Sequence, residues 1–118
     1  MALNTAGYAA QGTGDRTSGV QFSVDTSGFE NIFFSFDQRN SGTASAWTAL
    51  LYTLDGENWL EATTFRMLSD STFVKGLGYD FSHISGVPDN ANFAIQLVSM
   101  FAPGTSSYAA TGSGNYGT

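Results

Sequence analysis

Residues 32–59 constrain the fold more than any other stretch. Ile32, Phe34 and Phe36 fall on one side of an extended chain, and Phe33, Ser35 and Asp37 on the other, because successive strand side chains point to opposite faces. Residues 40–46 then form a polar Ser/Gly/Ala/Thr loop. Trp47 to Leu54 is apolar at both parities, which marks a strand covered on both faces. Asp55-Gly56 turns the chain, and a returning strand begins at Trp59. A helix cannot absorb this order, since its apolar period is near 3.6 rather than 2. The segment therefore calls for an antiparallel sheet.

The remaining chain extends the pattern. Val20, Phe22 and Val24 alternate with Gln21, Ser23 and Asp25, and Asp25-Thr26-Ser27-Gly28 forms a turn. Strands are expected at 19–25, 30–38, 47–54, 59–67, 72–80 and 92–101. In the last, Phe93, Ile95 and Leu97 oppose Ala94, Gln96, Val98 and Met100. Gly76 and Gly78 weaken the 72–80 strand and suggest a bulge or a close backbone approach. Residues 81–88 read as a single helical turn or an irregular crossover, and 89–92 as a turn. Residues 1–18 read as an extended arm or a poorly anchored edge strand, and 103–118 as a Gly/Ser-rich loop or tail. About six or seven strands with short turns give an all-β, antiparallel β-sandwich in one domain spanning 1–118.

Composition narrows the function classes. Charged residues are 12% of the chain, against roughly 25% in ordinary domains. Ten acidic residues outnumber four basic ones, Arg16, Arg39, Arg66 and Lys75. Nucleic-acid binding depends on clustered cations that neutralise phosphates, and four scattered ones cannot supply that. No apolar run approaches the ~20 residues of a membrane span. With no cysteine, thiolate catalysis and Cys-ligated zinc are excluded. The ten Phe are sufficient for a core without disulfides, each contributing roughly 1.5–3 kcal/mol when buried. Met1-Ala2-Leu3 shows no basic or apolar leader, so the chain reads as a cytoplasmic protein or a processed piece, and the second is preferred.

The residues Tyr8-Ala9-Ala10-Gln11-Gly12-Thr13-Gly14-Asp15-Arg16-Thr17-Ser18-Gly19-Val20-Gln21-Phe22, Phe36-Asp37-Gln38-Arg39 and Leu51-Tyr52-Thr53-Leu54-Asp55-Gly56 carry a resemblance. So do Asp80-Phe81-Ser82-His83-Ile84-Ser85-Gly86-Val87 and Asn92-Phe93-Ala94-Ile95. Together they resemble a bacterial extracellular jelly-roll or lamin-tail-like β-sandwich domain of secreted proteins with C-terminal sorting signals. The resemblance covers nearly the whole chain. It implies a secreted location and no particular activity. Domains of this kind continue past Tyr116-Gly117-Thr118 into a further strand, so the resemblance implies an incomplete sheet edge here. Such a slot could be filled by the N-terminal arm or by a neighbouring chain. The second case would make a homo-oligomer by strand exchange and a self-assembling structural subunit.

Candidate chemistry is sparse. His83 is the sole histidine, and no Gly-x-Ser-x-Gly accompanies it, so a capping or surface role is expected rather than a catalytic relay. Asp25, Asp37, Glu57 and Glu61 are the carboxylates that glycoside hydrolysis could use, but spacing selects no pair. The expectation is no enzyme and no cofactor. Asp55-Gly56-Glu57-Asn58 and Asp89-Asn90-Ala91-Asn92 are oxygen-rich; they suit plain turn chemistry, with a structural calcium as the alternative. Asp37 and Arg39 share a strand face and suit a structural ion pair, or the polar part of a sugar site. The leading expectation is a non-catalytic module for a polysaccharide or cell-surface glycan. Trp47 and Trp59 would stack on sugar rings. Asp37, Gln38, Arg39 and Gln96 would supply hydrogen bonds.

Overall fold

The computed structural model describes residues 3–68 and 72–117. Met1, Ala2 and Thr118, the outermost residues of the expected arm and tail, lie outside that range. Six strands form among the described residues: β1 (Gly19–Ser23), β2 (Phe33–Gln38), β3 (Trp47–Thr53), β4 (Trp59–Arg66), β5 (Val74–Asp80) and β6 (Ala94–Ser99). They build a four-stranded sheet, β1-β6-β3-β4, and a two-stranded sheet, β2-β5. Every pairing is antiparallel. No helix occurs among the described residues. The chain is an all-β protein of two antiparallel sheets, as the alternation required.

Each strand carries its alternation into the packing. On one side of the large sheet lie Leu50, Tyr52 and Ile95, which pack with Phe81, Val87 and Phe93 into a core roofed by Phe34, Phe36 and Tyr79 of the small sheet. Around Phe81 aromatic edges meet faces: it lies 5.3 Å from Phe93 and 5.4 Å from Tyr52, centroid to centroid, both edge-on. Such pairs add about 0.5–1.5 kcal/mol each beyond burial. Phe36 also meets Phe65 edge-on at 5.5 Å, which ties β2 to β4. On the other side of the large sheet, Ala49, Leu51, Val98 and Met100 form a second apolar cluster flanked by Trp47 and Trp59. β3 is thus apolar on both faces because both faces are covered.

The local signals acted by identifiable means. Gly56 takes a φ of +84° in the turn after β3, a conformation that favours glycine. A Cβ on Gly78 would sit 2.3 Å from the Phe34 carbonyl oxygen, so β5 can approach β2 only with glycine there. A register shift between Phe36 and Gln38 bends the same pair. Residues 81–88 are the irregular crossover rather than a helical turn. Isolated turns run through it, with the Ile84 amide bonding the Phe81 carbonyl at 3.0 Å.

The N-terminal arm departs from expectation beyond Ala9. Gln11 brackets Tyr108, donating to its carbonyl at 2.9 Å and accepting from its amide at 2.6 Å. The Arg16 amide bonds the Ser99 carbonyl. Tyr108 and Tyr116 stack at 4.6 Å, and their hydroxyls donate to the Thr13 and Ala9 carbonyls. The two irregular ends therefore anchor each other, with tyrosines doing the work of a sheet.

Candidate functional site

Strand parity sorts the sequence-predicted site residues into two groups. In β3, residues 47, 49, 51 and 53 face away from the small sheet, and the register pairs Leu51 with Gln96, Thr53 with Trp59 and Trp47 with Arg66. Trp47, Trp59 and Gln96 therefore share the outer face of the four-stranded sheet. Asp37, Gln38 and Arg39 lie elsewhere, at the end of β2. The structure brings together three of the six predicted residues on one face and the other three beside a groove.

The outer face has a definite layout. Six positions of β3 separate Trp47 from Thr53, the partner of Trp59, so the two tryptophans are anchored on backbone about 20 Å apart along the strand direction. Both are half-buried. Their inner edges rest on Ala49, Leu51, Val98 and Met100. The Arg66 guanidinium lies over the Trp47 ring, 5.9 Å from its centroid. Between the indoles runs a polar bridge. Arg16 enters beside β6 and donates Nε to Glu61 Oε1 of β4 at 2.9 Å, while its NH1 group meets Asp15 Oδ2 at 2.5 Å. Asp15 also accepts the Phe101 amide at 2.7 Å. The bridge therefore spans from the β6 side to β4 across the apolar cluster. At the β1 side, Gln96 donates to Gln21 Oε1 at 2.9 Å.

These contacts give the face a specific chemistry. Two amphipathic aromatic plates supply apolar surface with polar edges. Amides of Gln21 and Gln96, the carboxylate of Glu61 and the guanidinium forks of Arg16 and Arg66 stand around them as donors and acceptors. Arg16, Gln21, Glu61 and Arg66 were not singled out as glycan-binding residues from sequence. The signal that could have found them is register: each follows once the pairing of β1-β6-β3-β4 is known, and pairing order is not written in any single strand.

The second group sits differently. Asp37 accepts the Gly76 amide at 2.9 Å rather than pairing with Arg39. Arg39 instead lies over the Phe73 ring, 5.6 Å from its centroid. Gln38 points inward and donates to Asn40 at 2.9 Å and to Thr48 at 3.1 Å. Buried Asn40 continues the network to the Ser45 carbonyl and the Thr111 hydroxyl. This group holds the loops together and borders a groove of about 1160 Å³.

The residues weighed for catalysis have other partners. His83 Nε2 lies 3.2 Å from the Tyr79 hydroxyl, with no serine relay in between. Asp80 accepts the Ser82 amide, which holds its carboxyl below the usual range. Asp25 is lowered too, by the Ser27 hydroxyl first and the Ser27 amide second. Asp55 accepts the amides of Asn58 and Glu57, so that oxygen-rich turn spends its carboxylate on its own backbone. Asp89 accepts the Gly28 amide. Among the described residues no group of three His, Cys, Asp or Glu side chains converges as a metal site would need. Compared with family models, with curated proteins and with solved structures, the chain finds no match.

Proposed function

We propose that this chain is a non-catalytic, secreted binding module that takes a polysaccharide or cell-surface glycan on the outer face of its four-stranded sheet. One observation carries the reading: Trp47, Trp59 and Gln96, chosen from sequence for sugar binding, project from the same sheet face. Sugar rings present apolar faces rimmed by hydroxyls. A binding face for them needs aromatic plates and neutral or charge-assisted hydrogen-bonding groups around the plates. Trp47 and Trp59 are the plates. Gln96, Gln21, Glu61 and Arg16 are the rim. Anchor points about 20 Å apart along β3 suit an extended chain of several sugar units lying along the strand. The low charge of the chain and the resemblance to bacterial extracellular β-sandwich domains support the secreted setting.

Retention on insoluble cellulose and chitin, with fluorescence titration against soluble oligosaccharides, tests the proposal. The chain has two tryptophans, both on this face, so its indole emission reports on the face directly. Binding should shift that emission, and Trp47→Ala and Trp59→Ala should each weaken retention. Retention unchanged in both variants would remove the site.

A further inference from the structure

We infer that the groove between the two sheets is a second binding site, for an uncharged sugar unit, and that residues 3–8 of the chain are its movable wall. The groove, about 1160 Å³, slightly exceeds the roughly 300–1,000 Å³ of ordinary small-molecule sites. Its sides come from inward-facing residues of both sheets. Val20 and Phe22 of β1 and Leu97 of β6 line one side, and Phe36 of β2 lines the other. Phe22 remains 39% exposed, which leaves an aromatic surface for the apolar face of a sugar ring.

The polar groups select the ligand. Gln38 donates from Nε2 to Asn40 and Thr48, and its Oε1 accepts no hydrogen bond among the described residues. No buried side-chain nitrogen or oxygen among them lacks a partner, so this oxygen is open to solvent, on a residue that lines the groove. Asp37, Arg39 and Lys75 line it too. The Gly76 amide occupies Oδ1 of Asp37 and leaves Oδ2. The ion pairs among the described residues belong to Arg16, so Arg39 and Lys75 keep donors to offer. An anion entering the groove meets Asp37, and a cation meets Arg39 and Lys75. A hydroxyl both donates and accepts, so an uncharged polyol can use all three.

The wall is the chain's own N-terminal segment. Residues 3–6 and Tyr8 line the groove, but no hydrogen bond among the described residues ties residues 3–8 to the rest of the chain. The Thr5 and Tyr8 hydroxyls meet within the segment. The next anchor is the Tyr116 hydroxyl, which donates to the Ala9 carbonyl at 2.6 Å. Between them Gly7 takes a φ of +77°, and a Cβ there would have nothing within 4 Å. A segment with so few bonds shifts at low cost. It borders the groove without sealing it, since Leu3 stays 69% exposed.

Amide-resolved NMR titration tests the inference with four neutral disaccharides: cellobiose, maltose, lactose and N,N′-diacetylchitobiose. Glucuronic acid and glucosamine serve as charged comparators. At least one disaccharide should shift the Gln38 side-chain amide and slow amide hydrogen exchange in residues 3–8, which should be unprotected in the free protein. The charged sugars, and the disaccharide on the double variant Arg39→Ala and Lys75→Ala, should each bind about tenfold more weakly. Both substituted residues are exposed, so folding is spared. Trp47→Ala should leave the Gln38 shift in place, because this site does not depend on the outer face, and either reading can fail without the other. No shift at Gln38 with any disaccharide, tighter binding of a charged sugar, or residues 3–8 already protected without ligand would overturn the inference.

Discussion

Leu50 and Tyr52 on one side of β3 are as buried as Ala49 and Leu51 on the other, but their neighbours differ in kind. The inner side is closed by Phe81, Phe93 and Val87, rigid apolar groups held by a second sheet and a crossover. The outer side is covered by half-exposed indoles and by an ion pair stretched across it. An aromatic lid sealed by backbone cannot open without unfolding. A lid made of side chains can move aside at smaller cost, which is what the proposed binding function would require of the outer side. The same strand is thus a structural centre on one face, and under the proposed function it would present a receptive surface on the other.

The sharpest way to break this comparison is to truncate both faces. Phe81→Ala removes a fully buried ring that touches Tyr52, Tyr79 and Phe93. It should cost about 3–5 kcal/mol in urea unfolding. Trp59→Ala removes a half-exposed ring and should cost only about 1–2 kcal/mol, while lowering glycan retention far more than that loss of stability explains. If Trp59→Ala destabilises as much as Phe81→Ala, the outer face is a second core and its role as a binding surface fails.

A smaller effect is expected from the bridge. Arg16 and Glu61 are each more than a third exposed at the side chain. A double-mutant cycle with Arg16→Ala and Glu61→Gln should return a coupling of about 0.2–1 kcal/mol that shrinks as salt is added. A larger, salt-insensitive coupling would mean that the bridge is a fixed structural strut rather than a movable cover.

How much of this could be read in the sequence differs between the two faces. Period-two alternation placed Phe34, Phe36, Phe93 and Ile95 toward the core, because burial on one face is a local property of a strand. The apolar run of β3 announced its central place for the same reason. The outer face was only half legible. Trp47 and Trp59 stood out by residue type, but Arg16 and Gln21 entered through pairings between residues 45 and 75 positions apart. Such pairings depend on sheet order, which several strands decide jointly. The mutual anchoring of the ends was illegible for another reason. Its strength lies in Tyr108 and Tyr116 reaching backbone carbonyls near the start of the chain, and a Gly/Ser-rich composition conceals two such contacts easily.

The turn that delivers Trp59 to the outer face provides the smallest and most selective test. Asp55 accepts amides of Asn58 and Glu57 and bonds the Asn58 side chain and the Thr53 hydroxyl, and these bonds to the charged form hold its pKa well below the ordinary carboxylate value. In the unfolded chain the same group titrates near about 3.9. A carboxyl whose folded pKa is depressed contributes stability that is complete above the unfolded pKa and disappears as pH falls toward the folded one. The wild-type protein should therefore melt higher than Asp55→Asn at neutral pH. That gap should hold down to about pH 4 and close only in stronger acid. Because the turn positions Trp59, the variant should also lose some glycan retention at neutral pH. A gap that closes above pH 5, or retention that is unaffected while melting drops, would separate the turn from the face it is argued to present.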